Sequence, residues 1–242
     1  MPSSLVRGFT VHFRAARLIV RDSEVRRLAS RPLLVNILLM VAGLPLGIWG
    51  AIQLSGMLVG GDGVVATLLR TFLQILAAAV GVFLSFFLLL LLGSAIAGPL
   101  NSKLSLAVEQ KIRGTQVSAG DTSIVQDVAR SVAFAFGRLL MFVLCYPPIF
   151  LTQFIPGLGF ILFPVLSLLY GAVVLSLDFS DYVFERHYAT FRQKLRHVWA
   201  RKSLYLGFGG GLALLMLVPF AGFVLLPLGV VGATMLHAEE TS

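Results

Sequence analysis

The sequence predicts an all-α integral membrane protein: two long transmembrane helices, two partly penetrating (re-entrant) helical hairpins and an N-terminal interfacial amphipathic helix. Three observations lead there. Residues 32–61, 71–102, 139–177 and 203–236 contain no Asp, Glu, Lys or Arg, and each exceeds the roughly 20 apolar residues that cross a bilayer. Only 12% of the 242 residues are charged, about half the share of a soluble domain. All 19 Lys and Arg lie before or between the four stretches, the distribution that orients a chain in a membrane.

The elements follow in order along one membrane domain, residues 1–242. Residues 5–31 read as an amphipathic segment on the cytoplasmic side. Phe9, Phe13, Ala16 and Val20 fall on one helical stripe, and Arg14, Arg17 and Arg21 fall on the adjacent one. Such a helix lies in the interface with its arginine stems reaching the headgroups. Seven Arg and no apolar region precede residue 32, so no cleavable signal peptide is read there.

Residues 32–61 and 71–102 are the two full spans; thirty residues reach roughly 45 Å as a helix. Pro32 suits a first helical turn, and Pro99 is expected to end the second span. A link follows over 103–138. The first hairpin, 139–177, is expected to break at Pro156-Gly157-Leu158-Gly159 and to be interrupted at Pro147-Pro148. After the link 178–202, the second hairpin, 203–237, is expected to break between Pro219 and Gly222. Its arms reach only about 21–23 Å, which favours hairpins that dip into the membrane; two pairs of full spans are the alternative. A re-entrant tip must bury its backbone in protein or line a wet cavity.

Basic residues set the topology. The N-terminal segment holds seven, the two long links five and six, residues 62–70 only Arg70, and the tail after His237 none. The basic links and both termini therefore belong on the cytoplasmic side. The net charge of +8 reflects this orientation and attraction to anionic lipid, so no nucleic acid is expected as a partner.

Chemistry is sparse. Cys145 is alone, which excludes an intrachain disulfide. His12, His197 and His237 are scattered along the chain, so no metal and no cofactor are expected, and no catalytic constellation marks an enzyme. Asp181, Tyr182, Phe184, Glu185 and His187 are expected to form a hydrogen-bonded polar and aromatic knot at the membrane edge. Asn36, Gln53, Gln74, Asn101 and Gln153 are read as interhelical hydrogen-bonding groups, and Gly43/Gly47 and Gly207/Gly211 as close-packing pairs. The apolar stretches carry no charge for a proton relay and no P-loop is present, which points to an uncoupled, channel-like conduit.

Specific residues resemble a family. Arg26-Arg27 followed by Pro32-Leu33-Leu34-Val35-Asn36, then Ala97-Gly98-Pro99-Leu100-Asn101, a helix over 107–114 with Glu109, Phe154-Ile155-Pro156-Gly157-Leu158-Gly159, Asp181-Tyr182-Val183-Phe184 with His187, and Pro219, Pro227 and Gly232-Ala233-Thr234 occur in that order. Together they are similar to the CysZ family of bacterial sulfate permeases, within the etoposide-induced protein 2.4 superfamily. The resemblance implies two long spans with two partly inserted hairpins, an inner-membrane location, and sulfate uptake that supplies cysteine biosynthesis.

The resemblance also places sulfate at the paired arginines before the first span, here Arg26 and Arg27. Their forked donors suit the oxygens of a tetrahedral dianion, and a helix starting near Pro32 adds positive potential. Arg31 and Asn36 complete the expected site. Sulfate or a related anion, membrane lipids and further copies of the chain are the expected partners. A permease for a different anion and a non-transporting membrane scaffold are the alternatives. Inward movement of a dianion costs roughly 4.6 kcal/mol per 100 mV of inside-negative potential.

Overall fold

The computed structural model describes residues 3–58, 63–114, 124–188, 190–218 and 221–241. Among them the chain is helical: α1 (Ser4–Arg21), α2 (Ser23–Leu58), α3 (Val64–Arg113), α4 (Ile124–Leu151), a 3-10 turn (Thr152–Phe154), α5 (Gly159–His187), α6 (Phe191–Ala200), α7 (Lys202–Leu215) and α8 (Ala221–Thr241). Among the described residues four segments are long and apolar enough to cross a membrane: Ser23–Leu54, Thr67–Phe87, Val132–Phe154 and Gly159–His187.

Contacts divide the chain into two compact units, Met1–Ala29 with Asn101–Ser242, and Ser30–Leu100. In the second unit α2 and α3 pair antiparallel. Gly47 abuts Ser85, Gly81 abuts Ala51, and Gly43 abuts Leu89, so positions rise on one helix as they fall on the other. The small residues let the backbones approach without a seam of large side chains. Leu34, Leu38, Trp49, Phe72 and Phe83 remain exposed, the outward apolar surface that a lipid-embedded pair offers.

The first unit is centred on α7 and α8. Between residues 225 and 238 only Leu226 and Met235 escape full burial. Val11 and Ala15 of α1, Leu104 and Val108 of α3, Phe179 of α5, Phe208 and Leu212 of α7, and Val230, Val231 and Leu236 of α8 form one continuous core. α7 lies between α1 and α5, and α8 touches all three. The Pro219 break expected in this hairpin lies outside the described residues.

Several helices run past the prolines expected to start, stop or interrupt them. Pro32 lies inside α2, which begins at Ser23, and Pro99 lies inside α3, which continues to Arg113. Pro147 and Pro148 lie inside α4. A proline removes one backbone donor and costs a helix in water, but in an apolar phase the alternative is a stretch of unsatisfied backbone. The helix therefore persists. The break at the first hairpin is where the sequence places it. Gly157 has φ 76°, a left-handed conformation that glycine adopts without a Cβ clash. The tip also closes its own hydrogen bonds, Ile155 N to Thr152 O at 3.2 Å and Gly159 N to Ile155 O at 2.8 Å.

α1 is amphipathic, but the face that packs is different from the expected stripe. Gly8, Val11, His12 and Ala15 are buried, whereas Phe13 and Val20 are exposed. Burial pushes the His12 imidazole down, opposed by the Phe208 carbonyl. The neutral ring donates Nε2–H to that carbonyl at 2.9 Å and stacks on the Phe208 ring. Arg14 and Arg7 both reach Glu239 of α8, at 2.6 and 3.0 Å.

Candidate functional site

The paired arginines stand in the first turns of α2. Because α2 begins at Ser23, no helix N-terminus exists near Pro32. The N-terminus that does exist is capped from within the chain. Asp22 Oδ1 accepts the backbone N–H groups of Glu24 and Val25, each at 3.1 Å, as an N-cap residue does. Asp22 Oδ2 pairs with Lys111 Nζ, which also lies 3.9 Å from Glu24. The Lys111 contact and the Val25 N–H hold the Asp22 carboxyl below the usual carboxylate range. The two acids next to Arg26 and Arg27 are thus directed to Lys111 and the helix end.

Arg26 and Arg27 are exposed, and Arg26 Nη1 donates to Val20 O at 3.0 Å. Arg31 is exposed further along α2, in the other compact unit. The Asn36 side chain lies outside the described residues. Arg26 and Arg27 are neighbours along α2, whose turn points adjacent side chains about 100° apart.

A second polar assembly joins the ends of α3, α5 and α8. Glu109 is fully buried. Its Oε2 accepts Arg186 Nη2 at 2.9 Å and Arg186 Nε at 3.1 Å. Its Oε1 faces His187 Nε2 at 2.6 Å and Arg113 Nη2 at 3.2 Å. Arg186 also donates to Ser105 Oγ at 2.7 Å and to Tyr182 O at 2.7 Å. Ser105 Oγ lies 2.8 Å from Thr234 Oγ1, which donates to Val230 O at 2.7 Å. A guanidinium only donates and a carbonyl only accepts, so the direction is fixed: Arg186 to Ser105, Ser105 to Thr234, Thr234 to Val230.

Asn101 donates to Tyr182 Oη at 3.4 Å, and Lys194 pairs with Asp181. Of the knot expected around Asp181, Tyr182, Phe184, Glu185 and His187, three members bond outward, to Lys194, Asn101 and Glu109, and Phe184 meets the rings of Tyr188 and His197. Its keystone is Glu109, which the sequence offered only as a residue of a helix beyond the second span.

Burial pushes the Glu109 carboxyl up. The hydrogen bonds from His187 and Arg186, with the charges of both, outweigh it and hold the group at about 2 against an ordinary 4.5. A depressed folded-state value contributes stability in full above the unfolded value and loses it as pH falls through the folded one. The melting temperature in detergent should therefore drop as pH goes from about 4.5 toward 2, and Glu109→Gln should give a shallower acid limb. Parallel limbs for the two proteins would refute the assignment.

The histidines, scattered in sequence, cluster in space. The rings of His187 and His237 lie 4.8 Å apart, and those of His197 and His237 lie 5.4 Å apart. α6 carries His197, α8 carries His237, and α5 ends in His187. Spacings of 10 and 40 residues hid this, because tertiary packing alone makes them neighbours. His12 stays apart, on Phe208.

Known proteins share this sequence organisation. The chain is 31% identical over 240 residues to a protein of Pectobacterium atrosepticum named Sulfate transporter CysZ, covering 95% of this chain and 84% of that one. The family model described as Sulfate transporter CysZ/Etoposide-induced protein 2.4 matches residues 11–227. That span begins inside α1 and ends inside α8, taking in the arginine pair, Glu109 with Arg186 and His187, and the four apolar helices. The chain belongs to the sulfate transporter CysZ/etoposide-induced protein 2.4 family.

Proposed function

We propose that this protein is a sulfate permease of the bacterial inner membrane, a channel-like conduit that supplies sulfate for assimilation into cysteine. The observation that carries the reading is the end-to-end similarity to a sulfate transporter, 95% of the chain at 31% identity. The four apolar helices fit it. In this reading α2 and α3 are the full spans, and the α4–α5 and α7–α8 hairpins enter the membrane only partway. The 14 residues of α7 support that depth, since they reach about 21 Å. The basic links and termini face the cytoplasm, and several copies of the chain assemble.

Arg26 and Arg27 form the anion-recognition pair, with Arg31 and Asn36 extending it along α2. The capture of Asp22 by Lys111 and by the α2 backbone supports this assignment, because it removes a competing carboxylate from the pair. Recognition then rests on guanidinium donors rather than on helix-end N–H groups, which Asp22 already occupies.

Flux of sulfate into proteoliposomes tests the function. Passage of sulfate above empty vesicles is expected; passage of other anions without sulfate would replace the substrate, and passage of none would favour a scaffold. Charge-assisted hydrogen bonds contribute about 1.5–3 kcal/mol each. Arg26→Gln/Arg27→Gln should therefore weaken sulfate binding by at least about 10-fold while leaving the melting temperature unchanged. Unchanged sulfate affinity in that variant would remove the pair from the site.

A further inference from the structure

His197, His237 and Glu240 lie at the junction of α6, α7 and α8, away from the arginine pair. One ligand atom from each falls within 4.8 Å of the others. His237 and Glu240 are three apart on α8, so they project from one helical face. His197 reaches them from α6. All three side chains are nearly or fully enclosed: His237 is 1% exposed, and the His197 and Glu240 side chains are 7% and 8% exposed.

We propose that these three residues form a binding site for a divalent transition-metal ion of the zinc class. Two imidazoles and a carboxylate are the donor set of tetrahedral zinc sites that keep one further position. Bonds of about 2.0–2.1 Å in that geometry set ligand atoms about 3.3 Å apart. His197 Nε2 and Glu240 Oε2 already stand at 3.3 Å. His237 closes the triangle by a small ring movement.

The surroundings supply the supporting shell that such sites need. Arg201 Nε holds Glu240 Oε1 at 2.9 Å, which leaves Oε2 for the ion. Tyr188 Oη lies 2.6 Å from His197 Nδ1. A metal on Nε2 requires the proton on Nδ1, and the phenolic oxygen is its acceptor. In the metal-free form Arg201 Nη1 also faces Nδ1, at 3.3 Å, and Nε2 carries the proton toward Glu240. Metal binding thus moves one proton within the imidazole and leaves Arg201 to the carboxylate. Tyr205 Oη sits 3.1 Å from His197 Nε2 and 3.5 Å from Glu240 Oε2, over the fourth position, where it holds the remaining ligand or a water. Glu240 also lines an open cavity of about 360 Å³, together with Arg7, Arg201 and Lys202.

The experiment uses the full chain in detergent, freed of any affinity tag and stripped with a chelator. Zn²⁺ is titrated by calorimetry, and Co²⁺ is added as an optical probe. About one Zn²⁺ per chain is expected, together with the intense visible bands of tetrahedral Co²⁺ and a melting temperature that rises with free Zn²⁺. His237→Gln/Glu240→Gln should weaken Zn²⁺ binding by at least about 100-fold, on the scale of a lost ligand set. The wild-type spectrum decides independently of how that variant folds. Absence of bound Zn²⁺, weak octahedral Co²⁺ bands, or undiminished binding in the double variant would each overturn the site.

Discussion

Glu109→Ala is expected to lower stability by about 3–5 kcal/mol, the largest single-site loss in the polar assembly. Removing one partner of a buried pair leaves the other charge uncompensated, and Arg186 would keep its position with its side chain 11% exposed. The loss should not stop at the pair. Arg186 holds Ser105, and Ser105 holds Thr234, so a guanidinium left without its carboxylate also loosens the hydrogen bonds that run from α5 through α3 to α8. Thermal unfolding in detergent measures the effect. Replacing both charges, Glu109→Met with Arg186→Met, should recover much of the loss, since apolar substitution of a whole buried pair is often neutral or better. A Glu109→Ala protein that melts with the wild type would show that the assembly contributes nothing to the fold.

The second large effect is expected at Gly207. A Cβ added there would fall on the Leu5 carbonyl of α1, and one added at Gly8 would fall on the Leu204 carbonyl of α7. The two helices touch backbone to backbone, so neither neighbour yields by turning a side chain. Gly207→Ala should destabilise by about 1–3 kcal/mol or more, the range of overpacked cores. Gly8→Ala should act through the same contact, and the two losses should not add. Gly210, one turn side away, faces open space. Gly210→Ala should be neutral or stabilising by about 0.5–1 kcal/mol from helix propensity alone. Equal melting temperatures for Gly207→Ala and Gly210→Ala would mean that α1 does not dock as described.

The helical class and the membrane-crossing stretches are legible because apolar length needs no tertiary context. Helix ends are less so. Pro32 read as a start, Pro99 as a stop and Pro147 as an interruption by rules calibrated in water, whereas the helices containing them continue because an apolar phase offers the backbone no other partner. The start of α2 did carry a local signal, Asp22 at the N-cap with acidic and polar residues after it, overshadowed by Pro32. The Glu109 assembly and the histidine cluster had only fragments of a signal. Glu109 is a lone carboxylate in its helix, and residues 187, 197 and 237 meet through the packing of α5, α6 and α8, which no spacing rule contains.

The docking of α1 on α7 and α8 has a consequence for biosynthesis. His12 and Phe208 are 196 positions apart, and Arg7 and Glu239 are 232 apart. α1 therefore leaves the ribosome long before the helices it packs on. Until then its buried face, Val11, His12 and Ala15, has no protein to cover it. Contacts of such long separation form slowly, and surface left uncovered in the interval invites wrong pairing. A chain cut short before α7 would keep the four described helices of spanning length and still be unable to fasten α1.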